Sequence, residues 1–153
     1  MSTNEIVVLP YRKKLNHKEY LIKTEVIEKW DNHPDHCSIS FPFKDTEDIE
    51  TVIEGNMNNL LSVEAKFEDY YNLGICQASK ESEKTFYLYC INISKLDYTF
   101  DANKYSFVND QEILENIDSQ LIVAYSRLEY LRFKWLPKNP LFSGFLSLFN
   151  NFY

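Results

Sequence analysis

The sequence predicts an α/β fold in which a mixed β-sheet lies between two layers of helix. Three observations support this prediction. The chain has 153 residues, of which 44% are hydrophobic, so it is long and apolar enough for one domain with a core. Short runs rich in β-branched and aromatic residues, typical of strands, occur before and after one helical pattern. A second helical pattern follows the last of these runs, and this order is typical of an α/β/α sandwich.

The strands are predicted from apolar runs and from alternation of apolar and polar residues. The first run, Ile6–Leu9, is expected to stop at Pro10, because proline has no backbone N–H to donate to a neighbouring strand. Residues 97–108 are rich in aromatic side chains but follow no period, and they are predicted to be irregular. The predicted strands are residues 6–9, 19–27, 37–43, 70–78 and 85–93.

The first helical pattern lies between Phe41 and Gly74, and the functional interpretation depends on it. Its apolar residues recur at helical spacing and predict one buried face. Asp45 or Thr46 is expected to cap the start of this helix, and Ala65 is expected to end it. The predicted buried residues are Ile49, Ile53, Met57, Leu60 and Leu61.

The same stretch resembles the box of the Nudix hydrolase family. The family pattern is Gly, five residues, Glu, seven residues, Arg-Glu, an apolar residue, any residue, Glu-Glu, any residue and Gly, usually introduced by Pro-Gly-Gly. On this chain Pro42 takes the proline, Glu50 the first Glu and Leu60 the apolar position. The resemblance implies a Nudix-like α/β/α sandwich with a mixed β-sheet, covering residues 1–136.

Several box positions depart from the family pattern. In the family, carboxylates on the helix hold magnesium or manganese against a diphosphate, and such hard cations need several oxygen ligands. Here the Arg-Glu pair is Asn58-Asn59, and the Glu-Glu pair is Ser62-Val63. Since Glu50 alone cannot make a metal site, we expect no catalytic residue, no metal and no cofactor. Recruitment of other carboxylates stays open, and the candidates are Glu47, Glu50, Glu54 and Glu64.

A second long helix is predicted near the end of this domain. Asp118 or Ser119 is expected to cap it and Pro137 to end it, with a short helix at 110–117 before it. Its apolar residues form one stripe, which predicts that it packs on the sheet. The stripe consists of Leu121, Ala124, Tyr125, Leu128, Leu131 and Trp135.

Residues 137–153 form an apolar C-terminal tail, which is predicted to be a docking segment. Asn139 and Pro140 are typical of a helix start. An isolated helix this short is marginal in water, so the tail needs a surface: its own domain, a second copy of the chain or a protein partner. The candidate interaction residues are Leu141, Phe142, Phe145, Leu146, Leu148, Phe149, Phe152 and Tyr153.

Charge and composition argue against several classes of function. A net charge of -7 disfavours general nucleic-acid binding, which needs a basic face. No apolar run approaches the roughly 18 residues of a membrane span. The three cysteines contain no Cys-x-x-Cys pair and indicate a reducing, cytoplasmic or intracellular compartment, with an assembled particle left open.

These observations give three hypotheses for the function. The leading one is a non-catalytic structural or interaction subunit of a larger protein assembly. No residue identifies that assembly, and a virion and another multi-protein complex are both open. The second hypothesis is a divergent hydrolase acting on nucleoside diphosphate derivatives, and the third is a nucleotide-binding module without hydrolysis.

Overall fold

Strands and helices follow one another along the chain in the predicted order. The computed structural model describes residues 3–26, 34–77, 84–114 and 119–133. The strands are β1 Thr3–Lys13, β2 Lys18–Val26, β3 Pro34–Cys37, β4 Ile39–Phe43, β5 Tyr70–Gln77, β6 Lys84–Asn92 and β7 Tyr105–Val108. The helices are α1 Ile49–Leu61, α2 Asp110–Leu114 and α3 Ser119–Phe133, and a short 3-10 turn covers Phe67–Asp69.

The described strands form one mixed sheet of seven strands. Along its main path the order is β3-β2-β1-β6-β5, with β4 also paired to β1 and β7 also paired to β2. The pairing of β1 with β6 is parallel, whereas the other pairings are antiparallel. The mixed sheet is therefore confirmed, and β1 lies at its centre.

Pro10 does not end the first strand, so that prediction is wrong. On one side of β1, β4 pairs with Asn4 to Val8 and β2 pairs with Tyr11 to Lys13, while β6 runs along the other side. Pro10 lies between the two stretches, at the place where β1 exchanges one partner for the next. Neither β4 nor β2 pairs with Pro10 itself, whereas β6 pairs with it through Ile91, and the strand continues through the proline.

The predicted strand at 37–43 is divided into two. Residues 34–37 form β3 and pair with β2, whereas residues 39–43 form β4 and pair with β1. Ser38 lies between them and is buried. Alternation correctly placed Ile39, Phe41 and Phe43 on one face, but it did not predict that Ser38 would be buried where the chain changes its partner.

Helices cover both faces of the sheet, and each face has its own core. The face under α1 is called the α1 face, and the face under α2 and α3 is called the α3 face. Since neighbouring residues of a strand point to opposite faces, β1 contributes Ile6 and Val8 to the α1 face and Val7 and Leu9 to the α3 face. The result is the predicted α/β/α sandwich.

The boundaries of α1 differ from the predicted ones. Asp45 and Thr46 lie in a turn closed by the Glu47 N–H and the Lys44 carbonyl at 2.9 Å, and they do not cap the helix. Asp48 is the N-cap residue, with an extended backbone. Of the predicted apolar face, Ile53, Met57 and Leu61 are buried, while Ile49 and Leu60 are partly buried against the same core.

The C-terminal part of the domain is partly as predicted. The last four residues of the segment predicted to be irregular, 105–108, form β7 and pair with β2. α2 ends at Leu114, and residues 115–118 lie outside the described ranges. In α3, the predicted stripe residues Leu121, Ala124, Tyr125 and Leu128 are buried.

The apolar tail lies outside the described residues. This applies to residues 137–153 and to the eight candidate interaction residues within them, so the predicted docking segment and the domain boundary stay predictions. Among the residues that the structure describes, no helix is long and apolar enough to cross a membrane.

Candidate functional site

The C-terminal end of α1 is fixed by the conformation of Ser62. Its φ of 55° and ψ of 46° are left-handed and stop the helix after Leu61 rather than at Ala65. The backbone N–H groups of Ser62 and Val63 both donate to the carbonyl of Asn58, the second at 3.2 Å. Ser62 is thereby exposed at the end of the helix, while Val63 packs against the apolar core of the α1 face.

Asn58 holds the loop that follows α1. Its Oδ1 accepts the backbone N–H of Ala65 and its Nδ2 donates to the Ala65 carbonyl, each at 3.0 Å. One turn earlier, the carboxylate of Glu54 accepts the backbone N–H of Phe67. Because residues four apart lie on the same face of a helix, both side chains tie residues 62–67 to α1. The amide at the Arg position of the box is therefore a structural group.

A groove lies beside the C-terminal half of α1 and is open to solvent. It has a volume of about 460 Å³. One wall is α1, the other is the segment that leads into β7, and β4 contributes an aromatic ring. The lining residues are Phe41, Asn56, Asn59, Leu60, Ser62, Thr99, Phe100, Asp101, Lys104 and Tyr105.

The second wall of the groove is held by backbone hydrogen bonds. The N–H of Thr99 donates to the Leu61 carbonyl at 2.9 Å, which joins this wall to the end of α1. The Asp101 carbonyl accepts the N–H of Lys104 at 3.0 Å and closes a turn. The Lys104 carbonyl in turn accepts the N–H of Thr24 in β2 at 2.7 Å. These bonds position the groove side chains on the sheet.

An aromatic cluster supports this wall from behind. The rings of Tyr98 and Phe100 stack at 6.2 Å, and Phe107 meets Phe100 edge-on at 5.6 Å. The guanidinium of Arg12 lies 3.6 Å above the centre of the Phe107 ring and donates to the Tyr98 hydroxyl at 2.9 Å. Packing of this kind between rings and a cation makes the wall rigid.

The polar side chains of the groove are available for a ligand. Those of Asn59, Ser62, Thr99 and Lys104 make no hydrogen bond within the described part of the chain. Together they offer an amide, two hydroxyls and an ammonium group, whereas Asp101 supplies the one carboxylate among the described lining residues. The groove can therefore bind a polar molecule, and its chemistry is not that of a cluster of carboxylates.

The acidic residues that could replace the box ligands do not gather in this groove. Glu47 accepts the backbone N–H of Lys44 at 3.0 Å, and Glu54 is used in the loop after α1. Glu50 does not line the groove. Its charge is felt instead by the phenol of Tyr89 in β6, whose pKa is raised mainly by burial and further by Tyr87 and Glu50. Within the described ranges, no group of three or more His, Cys, Asp or Glu residues is placed to hold a metal ion.

A second polar cluster lies on the α3 face, around the buried carboxylate of Glu129. The Tyr20 hydroxyl donates to Glu129 Oε1 at 2.6 Å, and Lys18 Nζ lies 3.5 Å from the same oxygen. Burial raises the pKa of Tyr20, and the hydrogen bond to Glu129 adds to the rise. A cavity of about 250 Å³ opens beside this cluster, under the hairpin that joins β1 to β2.

Sequence reasoning located one wall of the groove and missed the polar residues of the other. The box resemblance identified Asn59 and Ser62, and the structure brings both to the groove. Thr99, Asp101 and Lys104 were missed, because nothing local shows which helix a turn will face. Asp101 to Lys104 has the composition of a turn, and this signal could have marked the segment as a rigid loop.

The fold is Nudix-like, as comparison with solved structures shows. The C-terminal domain of mouse MUTYH, in complex with human PCNA, has a TM-score of 0.66 at 7% identity, over 86% of this chain and 90% of that one. A mutT/nudix family protein from Listeria innocua has a TM-score of 0.61 at 11% identity, over 89% of this chain and 98% of that one. The NUDIX domain of Shewanella oneidensis NrtR, complexed with ADP ribose, has a TM-score of 0.61 at 11% identity, over 86% of this chain and 89% of that one.

Comparison of the sequence alone finds no such relationship. No protein-family model matches the chain, and no curated protein sequence matches it. At identities of 7% to 11%, the structural likeness shows the fold. The predicted Nudix-like α/β/α sandwich is therefore confirmed, while the function has to be argued from the site.

Proposed function

We propose that this chain is a non-catalytic Nudix-like domain that acts as an interaction component of a larger protein assembly. One observation carries the proposal. Asn59 and Ser62 face the groove from α1 at positions where the family resemblance implies carboxylates. An amide and a hydroxyl are neutral and bind a divalent cation poorly compared with carboxylates. Val63, at the next implied ligand position, packs into the core and does not line the groove.

Two further points support an interaction role. The eight apolar tail residues are dense in the aromatic side chains that anchor protein interfaces. In addition, the similar C-terminal domain of mouse MUTYH is found in a complex with human PCNA. A domain of similar fold and size can thus be part of a protein complex.

The absence of catalysis is tested by incubating the full chain with a panel of nucleoside diphosphate derivatives and magnesium or manganese. We expect no hydrolysis above the rate of a protein-free control, because the part of the chain that the structure describes contains no cluster of carboxylates for a metal. Turnover that Glu50→Gln abolishes would contradict the proposal. Glu68→Gln is the matched control, since Glu68 is exposed in the 3-10 turn after α1 and is not one of the candidate carboxylates.

The interaction role is tested in the full chain with Phe145→Asp and Phe149→Asp together. We expect light scattering to show that association of the wild-type chain, with itself or with a purified partner, is lost, while the melting temperature is unchanged. A large fall in melting temperature would instead show that the tail belongs to the core of its own domain. The charge change isolates the apolar contact without removing any chain.

A second candidate function is a nucleotide-binding module without hydrolysis. The groove volume and its rings Phe41, Phe100 and Tyr105 favour it, since bases stack on aromatic side chains. The similar NUDIX domain of NrtR is complexed with ADP ribose. A rise in melting temperature with ADP-ribose, lost in Asn59→Lys and unaccompanied by turnover, would favour this module over the interaction component.

A further inference from the structure

Strand β5 forms one edge of the sheet. It pairs with β6, and no other described strand pairs with it. The edge of a sheet carries backbone groups that another strand can bind, and proteins commonly protect such edges with charged residues or proline. β5 has the sequence Tyr-Tyr-Asn-Leu-Gly-Ile-Cys-Gln, which contains neither. Its side chains Tyr71 and Ile75 are 52% and 54% exposed.

Arg127 reaches from α3 to the middle of this strand. The residue is 2% exposed, and its Nη1 donates to the carbonyls of Leu73 at 2.8 Å and Ile75 at 3.0 Å. In a regular strand, carbonyls two residues apart are separated by about 6.6 Å, so one nitrogen can bind both only where the strand is irregular, as β5 is between Asn72 and Gly74. We call Arg127 and these two carbonyls the edge clamp. Two backbone acceptors of the edge strand are therefore occupied by the protein itself.

The backbone of β5 is shaped to admit the clamp. The pairing with β6 is irregular between Asn72 and Gly74, and Gly74 has a φ of 90°. A Cβ at position 74 would lie 3.0 Å from Arg127 Nη1, so glycine leaves the space that the guanidinium fills. The Gly74 N–H is bound by Asn72 Oδ1 at 2.7 Å. In the middle of the strand, the N–H of Gly74 and the carbonyls of Leu73 and Ile75 are thus bound within one copy.

We propose that the edge clamp closes a latent self-pairing surface, and that without it β5 pairs with β5 of a second copy. The partner follows from the strand itself. Two identical edges can pair antiparallel about a two-fold axis, so that every contact is made twice. Because β5 is uncharged, no repulsion between like charges opposes this pairing. Arg127 therefore protects the edge of the sheet from pairing, a role that charged side chains such as lysine have on other sheet edges.

The test compares Arg127→Ala and Arg127→Gln with a full chain that keeps Arg127, by light scattering across a dilution series. All three chains carry Phe145→Asp and Phe149→Asp, so that association through the apolar tail is not measured. We expect the mass of the chain with Arg127 to stay constant, and the mass of Arg127→Ala to rise about two-fold with concentration, as a two-fold pair requires. Circular dichroism checks that each variant is folded. Arg127→Gln keeps one donor and is expected to associate less.

A second substitution locates the contact. Ile75→Lys puts one like charge from each copy on the exposed edge, so it should return Arg127→Ala to a monomer. Leu121→Ala, in the same helix, is the control for general destabilisation, because Leu121 is fully buried and lies in the first part of α3, before Arg127. A folded Arg127 variant that stays monomeric would overturn the proposal. So would association that Ile75→Lys leaves unchanged, or failure of both Arg127 variants to fold.

Discussion

The two faces of the sheet use polar side chains in opposite ways. On the α3 face, Glu129 and Arg127 are buried and bound to other groups of the protein. On the α1 face, Asn59, Ser62 and Thr99 line an open groove and make no side-chain hydrogen bond within the described part of the chain. A buried polar group without a partner costs about 1–3 kcal/mol, so the first set is fixed by stability. The second set is free to be selected for binding.

Removing the buried Glu129 carboxylate on the α3 face is the strongest test of this difference between the two faces. Glu129→Ala leaves the Tyr20 hydroxyl and Lys18 without their acceptor and opens a small cavity. We expect the free energy of unfolding in urea to fall by about 3 kcal/mol. Glu64→Ala, at an exposed glutamate, should change it by less than about 0.5 kcal/mol. Equal effects of the two substitutions would show that burial does not distinguish these carboxylates.

Two adjacent asparagines on the α1 face sharpen the comparison. Asn58→Ala removes both hydrogen bonds to Ala65, and we expect a loss of about 1–2 kcal/mol in the free energy of unfolding. Asn59→Ala should cost less than about 0.5 kcal/mol, because that amide faces the groove. If Asn59→Ala were the more damaging substitution, the groove amide would be a structural group. Urea unfolding of both variants measures the difference.

The smallest expected effect comes from two glycines. Gly55 lies inside α1, and no atom is within 4 Å of a Cβ built on it, so Gly55→Ala should stabilise the protein by about 0.5–1 kcal/mol. Gly74→Ala should instead destabilise it, because of its positive φ and the nearby Arg127. The melting temperatures of the two variants should therefore move in opposite directions. A shift in the same direction would contradict the described geometry around one of them.

The position of α1 could be predicted from the sequence because its cause is local. The recurrence of Ile53, Met57 and Leu61 at helical spacing is a property of one segment, and all three are buried as expected. The end of the helix is also local, but its cause is a left-handed serine. Since only a small minority of non-glycine residues adopt that conformation, the presence of a serine at position 62 did not predict the end of the helix.

The functional surfaces were harder to predict because they depend on distant segments. The groove joins α1 to a turn about 40 residues later, through one backbone bond from Thr99 to Leu61. The stripe of apolar residues correctly predicted that Leu121, Ala124, Tyr125 and Leu128 of α3 are buried, while Leu131 and Trp135 have no described burial. It did not predict that Arg127 and Glu129 would be buried with them, since charged residues are rarely buried unless they are paired. Their partners lie in β5 and β2, far away in sequence.

The central place of β1 also bears on how the protein forms during translation. Its parallel neighbour β6 begins on the order of 80 residues later in the chain. Most of the domain must therefore be synthesised before β1 and β6 can pair. Until then, the apolar strand Thr3–Lys13 has only its antiparallel neighbours to shield it. We therefore expect nascent chains that stop before residue 84 to expose apolar surface, to aggregate readily and to bind chaperones. We expect the sheet to form cooperatively, and only after β6 has been synthesised.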